Sequence, residues 1–262
     1  MIKIIQAMFL CCLIVLSTQA QAGGRLEKIK STGEVRVCIW PGYFAISYRN
    51  PRNGMLEGID IDMAKDFADH LGVKLTFVDS SFGKIKENMT NGACDISMHG
   101  VGVRDDRKPF MDFSEPHLIS GIYAVSMKSN DIIKKWDDID QEGNVVVVQK
   151  GTYMEPVMRD YLKKAELSVV DSFKAREQEV EAGRADVFMT DYPYGKRMAA
   201  LTTWAHLMEP AEILAPTPYA YAVPKNEPDW LGVVNDFLAT VKKDGRLAAS
   251  AEKHGLTPIV AK

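Results

Sequence analysis

Residues 59–78 read Ile59-Asp60-Ile61-Asp62-Met63-Ala64-Lys65-Asp66-Phe67-Ala68-Asp69-His70-Leu71-Gly72-Val73-Lys74-Leu75-Thr76-Phe77-Val78. Ile61, Met63, Ala64, Phe67, Ala68 and Leu71 recur at helical spacing, Asp60 or Asp62 stands where a cap is expected, and Gly72 stops the helix. Val73 to Val78 is then a strand. Upstream, Arg25 to Ser31 reads as a helical turn and Val35 to Ile39 as a strand. Downstream, Lys84 to Thr90 is a helix closed by Asn91-Gly92, and Asp95 to Met98 a strand. This alternation is the pattern of an α/β domain with a largely parallel sheet.

The pattern restarts after a strand-like stretch from Gly121 to Met127. Strands are expected over Asn144 to Gln149, Leu167 to Val170 and Ala185 to Thr190, and helices over Tyr153 to Ala165, Ala175 to Ala182 and Asp191 to Ala200. Pro216 to Val223 is a further strand. Leu231, Val234, Phe237, Leu238 and Val241 mark a helix over Asp229 to Asp244, and Arg246 to His254 a last one. The chain thus holds two α/β units with no repeat, low-complexity tract or flexible linker between them.

Composition excludes several classes. The 262 residues are 46% hydrophobic and 26% charged, enough for a large core, so disorder and a small stapled scaffold are ruled out. Lys and Arg total 32 against 35 Asp and Glu, a net charge of −3 without like-charge runs. That is not the footprint of a nucleic-acid or membrane-surface binder. Lys3, the apolar run Ile4 to Leu16, and the small residues Ala20 and Ala22 have the layout of a secretory signal peptide over residues 1–22. The run is too short to span a bilayer, so export to the periplasm is expected. Cys38 and Cys94 then remain; they could pair in an oxidising compartment, but two buried thiols is the reading adopted.

Dinucleotide, phosphate-loop, zinc-protease and nucleophile-elbow motifs are missing, and the five histidines show no metal-ligand spacing. Neither metal nor cofactor is expected. What stands out is polar residues at the carboxyl ends of the strands, where open α/β sheets take their ligands. Gly100, Gly102 and Arg107 follow one strand, Lys150-Gly151-Thr152 another and Asp191 a third. Arginine can hold a carboxylate through two parallel hydrogen bonds, Gly-Thr at a helix start can assist, and Asp191 could hold an ammonium. The plainer readings are that Arg107 pairs with Asp112 or Glu115 and that Thr152 and Asp191 cap helices. Trp40 and Tyr43 after the first strand, and Phe82 after the second, would shape a small-molecule pocket or fill the core.

These residues resemble the bacterial periplasmic solute-binding proteins of the polar amino-acid type, family three, over essentially the whole exported chain. The resemblance is carried by Gly33-Glu34-Val35-Arg36-Val37, Leu56 to Ala64, Arg107 with Asp112-Phe113-Ser114-Glu115-Pro116, Gly151-Thr152, Gly183-Arg184-Ala185-Asp186 leading to Asp191, and Lys243-Asp244-Gly245. It implies a type II periplasmic-binding-protein fold: two α/β lobes, here residues 23–120 with 216–262 and residues 121–215, joined by two crossing hinge strands. It further implies a ligand that closes the lobes and an inner-membrane ABC permease as partner; a monomer suffices. Arg107 would bind an α-carboxylate, Thr152 assist it, and Asp191 take the α-amino group. Gly102 stands where Ser or Thr is usual. Arg104 replaces a Thr, and His99 and His117 replace commoner small or Tyr residues. Trp40 stands where carriers of cationic amino acids have an acid, so the expected ligand is an aromatic or apolar amino acid, or a related carboxylate lacking the amine, its side chain between Tyr43 and Phe82.

The chain is also similar to the cyclohexadienyl dehydratases, enzymes on the same fold, through Ile139-Asp140-Gln141, Leu162-Lys163-Lys164-Ala165 and Arg25-Leu26-Glu27-Lys28-Ile29. Their general acid, a glutamate three residues beyond the aspartate of the second lobe, is replaced by Tyr194, a poor acid at neutral pH. A binding protein rather than an enzyme is therefore expected.

Overall fold

The structure, a computed structural model, describes residues 24–262; the leader expected over 1–22 lies outside them. The chain begins with α1 (Arg25–Thr32) and β1 (Glu34–Ile39). A small antiparallel sheet of β2 (Gly42–Tyr43), β3 (Ser47–Arg49) and β4 (Leu56–Glu57) leads to α2 (Ile59–Leu71), β5 (Lys74–Asp79), α3 (Ile85–Thr90), β6 (Ile96–Gly102) and β7 (Met111–Phe113). A long strand, β8 (Leu118–Met127), precedes β9 (Val145–Gln149), α4 (Met154–Tyr161), β10 (Glu166–Val170), α5 (Phe173–Glu181), β11 (Val187–Thr190), α6 (Tyr192–Leu201) and β12 (Ala205–Met208). The second long strand, β13 (Leu214–Pro224), is followed by α7 (Pro228–Lys243) and α8 (Arg246–Lys253).

Ten strands share one sheet in the order β10-β9-β11-β8-β13-β6-β1-β5, with β12 on β8 and β7 on β13. The two ends are parallel triplets, β6-β1-β5 and β10-β9-β11, and between them β8 and β13 run antiparallel. β8 gives its first half to β13 and its second half to β11 and β12. These are two α/β lobes joined by two long strands. The all-valine run of β9 suits its place in the middle of a parallel triplet, covered on both faces. In the first lobe, the rings of Phe67 on α2 and Trp230 and Phe237 on α7 pack at 5.4 and 4.8 Å, and the Trp230 indole N–H donates to Asp95 O at 2.8 Å. Trp230, rather than the expected Leu231, fills the buried stripe of α7.

Several expectations are corrected. Neither Asp60 nor Asp62 caps α2, which starts from Gly58 without a side-chain cap. Asp60 is buried and accepts from Gly100 N at 2.7 Å with His117 Nε2 at 2.9 Å, while Asp62 ties α2 to Ser250, Lys253 and His254 on α8 and just beyond it. Gly72 ends the helix in the left-handed conformation, as expected. The helix from Tyr153 stops at Tyr161, not Ala165, because the Asp140 carboxylate collects the N–H groups of Lys163, Lys164 and Ala165 and turns the chain into β10. β6 runs on past Met98 to Gly102.

Cys38 and Cys94 form a disulfide, against the reading of two thiols. Only the pairing of β1 with β6 brings them together, with Cα atoms 5.6 Å apart across 56 residues of sequence, and both are fully buried. Closing a loop of that length is worth about 4 kcal/mol on the chain-entropy account. The double variant Cys38→Ala/Cys94→Ala is therefore expected to unfold at distinctly lower urea, by circular dichroism, and an unchanged midpoint would show that the bond adds nothing.

Candidate functional site

The carboxyl ends of both parallel triplets point toward one another across β8 and β13. Trp40 leaves β1, Phe82 follows β5, and Gly100 and Gly102 lie in β6 itself; Thr152 follows β9, Phe173 starts α5 after β10, and Asp191 follows β11. A cavity of about 20 Å³ lies among Tyr43, Phe82, Gly100, Gly102, Arg107, Thr152, Tyr153, Met154, Phe173, Asp191 and Tyr219, room for roughly one water. Seven of the eight residues singled out in the sequence line it. Trp40 does not; it lines a larger outer chamber, together with Phe82 and Phe173.

Arg107 is the cation of the cavity. It is 5% exposed, and its guanidinium donates to Gly102 O at 2.9 Å and across the cleft to Gly151 O at 3.2 Å. It makes no ion pair among the described residues: Asp112, one proposed partner, is held by Lys225 and Asn226 N, and Glu115 forms none. Burial and the neighbouring Arg104 lower its pKa to about 10, so it stays charged at neutral pH and wants an anion. Arg104 itself is held in a two-pronged pair by Asp106, both bonds at 2.8 Å. Phe82 lies 5.9 Å from the Arg107 guanidinium and 5.3 Å from the His99 ring. His99 is buried against Ser97, and desolvation lowers its pKa to about 4, which keeps it neutral.

Asp191 is the anion. Its carboxylate caps α6 through Tyr194 N at 3.1 Å, and its other oxygen accepts from Tyr219 OH at 2.8 Å and from Tyr43 OH. The cap reading and the cavity reading hold together, because the cap leaves one oxygen facing the cavity. Thr152 does not cap α4; its hydroxyl donates to Gln149 O at 2.8 Å. Gly100 has φ +60°, and a Cβ there would lie 2.8 Å from the Tyr43 ring, so glycine lets that ring close over the strand. At Gly102 a Cβ would meet Thr217 Cγ2 at 3.0 Å. Tyr43 and Phe82 meet edge to face at 5.8 Å rather than standing apart as a slot.

Tyr153, Met154, Phe173 and Tyr219 were missed. Phe173 sits at a strand end like the others and the same rule would have found it; Tyr219 reaches the cavity only because β13 crosses between the lobes. Tyr194, in the place of the dehydratase acid, is outside the cavity wall: its hydroxyl donates to Glu177, accepts from Arg197 at 3.1 Å, and burial raises its pKa.

A two-lobed α/β protein closing one buried cation and one buried carboxylate around a cavity is built to enclose a small solute. The chain belongs to such a family, the bacterial extracellular solute-binding proteins, family 3, matched over residues 35–257. It is 31% identical over 238 residues to the L-cystine-binding protein TcyJ of Escherichia coli, covering 88% of this chain and 85% of that one. It is 30% identical over 247 residues to the cyclohexadienyl dehydratase of Pseudomonas aeruginosa, covering 93% and 91%. Among solved structures, the ancestral protein AncCDT-1 superposes with a TM-score of 0.80 at 33% identity over 87% of this chain and 98% of that one. It is described in that structure as an amino acid-binding precursor of cyclohexadienyl dehydratase and in another as a cationic amino acid solute-binding protein.

Burial pushes the Asp191 carboxyl up to about 6 from an ordinary 3.8. The folded state therefore holds this proton more tightly than the unfolded chain. Its contribution to stability is full below about pH 4 and falls by roughly 3 kcal/mol as pH rises through 6. Asp191→Asn removes that dependence, so the difference in unfolding free energy between variant and wild type should grow in favour of the variant from about pH 4 to pH 7. A constant difference would mean that Asp191 titrates normally.

Proposed function

We propose that this chain captures a free amino acid between its lobes for delivery to an inner-membrane ABC permease. The observation that carries the reading is a buried guanidinium with no acidic partner among the described residues, Arg107, sharing a cavity with the buried carboxylate of Asp191. The two offer opposite charges to the two ends of a zwitterion, with Thr152 beside the first. Arg107 comes from one lobe and Thr152 and Asp191 from the other, so a ligand touching all three favours closure by contacting both sides. In this reading the lobes are residues 23–120 with 216–262 and residues 121–215, the leader is removed on export to the periplasm, and a monomer is the working form.

The side chain of the ligand is aromatic or apolar and not cationic. Trp40, Tyr43, Phe82 and Phe173 pack as four rings beside the cavity, with Trp40 stacked on Phe173 at 4.3 Å, and none of them brings an acid to balance a side-chain cation. The AncCDT-1 description as a cationic amino-acid binder is the counter-example this assignment has to beat. The family is mostly non-enzymatic, and the dehydratase reading lacks its acid, since Tyr194 is tied to Glu177 and Arg197 away from the cavity.

Thermal unfolding of ligand-stripped protein against single amino acids, L-cystine, prephenate and arogenate tests the reading. A ligand at 100 times its Kd adds roughly 2.7 kcal/mol, a shift of several degrees. The expected result is a shift with an aromatic or apolar amino acid, no shift with L-cystine, L-lysine or L-arginine, and no turnover of either cyclohexadienyl acid; a shift with one of those three amino acids would overturn the side-chain assignment, and consumption of a cyclohexadienyl acid the binding-protein reading. Arg107→Ala should weaken the best ligand by on the order of 100-fold in calorimetry. Its unfolding temperature should not fall, because the variant removes a desolvated, unpaired charge; undiminished affinity would take Arg107 out of the site.

A further inference from the structure

Arg176, on α5, is fully buried and forms no ion pair among the described residues; Glu177, the acid next to it, is taken by Tyr194 OH and Arg197. Its Nε has no hydrogen-bond partner among the described residues, and burial lowers its pKa to about 10, so it stays charged at neutral pH. The faces of Phe173, Phe188 and Tyr194, at 4.3, 4.5 and 4.9 Å, offset part of the desolvation cost. An apolar side chain of similar length would fill the same space without that cost, so packing alone does not account for the cation. Its contacts do. One guanidinium nitrogen donates to Met189 O at 2.5 Å and the other to Thr190 Oγ1 at 3.4 Å, and these are the two residues directly before Asp191. Tyr194, three residues beyond, donates its backbone N–H to the Asp191 carboxylate at 3.1 Å and lays its ring against the guanidinium. Phe173, which walls the inner cavity, stacks on Tyr194 at 4.7 Å.

We propose that Arg176 is the positioning residue for Asp191: it fixes the carboxylate where a ligand's α-amino group meets it, and so sets how strongly the site prefers an amino acid to the same acid without its amine. This rests on the amino-acid reading above. Arg176 does not line the cavity; it acts through Met189 and Thr190 on one side of Asp191 and Tyr194 on the other. A carboxylate that drifts by a fraction of an ångström still fills its place but loses the aligned hydrogen bonds an ammonium needs. The α-carboxylate end of the ligand, on Arg107 and Thr152, is indifferent to Arg176.

Calorimetry with L-phenylalanine against 3-phenylpropanoate, and with L-leucine against 4-methylpentanoate, isolates the amine. Wild type is expected to prefer each amino acid by on the order of 100-fold. In Arg176→Met that preference should shrink by roughly tenfold while the two des-amino acids keep their affinity. Arg176→Lys keeps the charge but not the planar fork, and its preference should lie between the two. In an Asp191→Asn background, Arg176→Met should change the affinity of neither member of a pair. A wild-type preference in Arg176→Met or Arg176→Lys, equal weakening of amino acid and des-amino acid, or an effect that persists in the Asp191→Asn background overturns the positioning role and leaves the amino-acid reading standing. Arg176→Lys carries the test by itself if Arg176→Met does not fold. Failure of wild type to bind any of the four, or to prefer the amines, overturns the aromatic or apolar amino-acid reading and the positioning role with it.

Discussion

The antiparallel ladder between β8 and β13 is the constraint on which the rest of the structure depends. Leu118 and Ile119 pair with Tyr219 and Pro218, and Ile122 with Leu214, so each lobe is attached to the other by two adjacent strands. A parallel triplet buries both faces and needs helices on each side, so neither triplet can simply extend into the other. Two strands that change partners half-way solve this. They also place the carboxyl ends of both triplets on one line, which is why residues from β2, β6, α4, α5, β13 and the loops between elements meet at a single cavity.

That placement makes buried charge affordable only in a particular way. Arg107 and Asp191 are both withdrawn from water, yet they are not paired with each other, and each is satisfied by neutral groups: carbonyl oxygens for the cation, tyrosine hydroxyls and a backbone N–H for the anion. Neutral partners relieve only part of the desolvation cost, which is what the lowered pKa of one and the raised pKa of the other report. A zwitterionic ligand offers each charge a better partner. In the function proposed, ligand capture and lobe closure then draw on the same free energy.

Behind the cavity the same economy recurs. Arg176 is fully buried, with its guanidinium over the rings of Phe173, Phe188 and Tyr194 at 4.3 to 4.9 Å and donating to Met189 O at 2.5 Å and to Thr190 Oγ1 at 3.4 Å. It braces the end of β11 that presents Asp191 and the ring of Phe173 that divides the two chambers. On the other side, Asp60 joins Gly100 N to His117, holding the strand whose glycine lets Tyr43 approach.

Much of this was legible in the chain itself. Helical spacing from Ile61 to Leu71, the stop at Gly72 and the valine run after Asn144 are local patterns, and local patterns fix secondary structure because a helix face or a strand face must be buried wherever it lands. The order of strands and helices then put Arg107, Thr152 and Asp191 at sheet ends. What sequence alone did not determine depends on elements far apart along the chain. Asp60 became a buried link instead of a cap because β6 runs beside α2; Cys38 met Cys94 because β1 pairs with β6; Tyr219 entered the cavity because β13 crosses between the lobes; and Trp40 was moved to the outer chamber by stacking on Phe173 of the other lobe. Each of these is decided by which surfaces the two lobes turn to one another, and no spacing within a single segment encodes that.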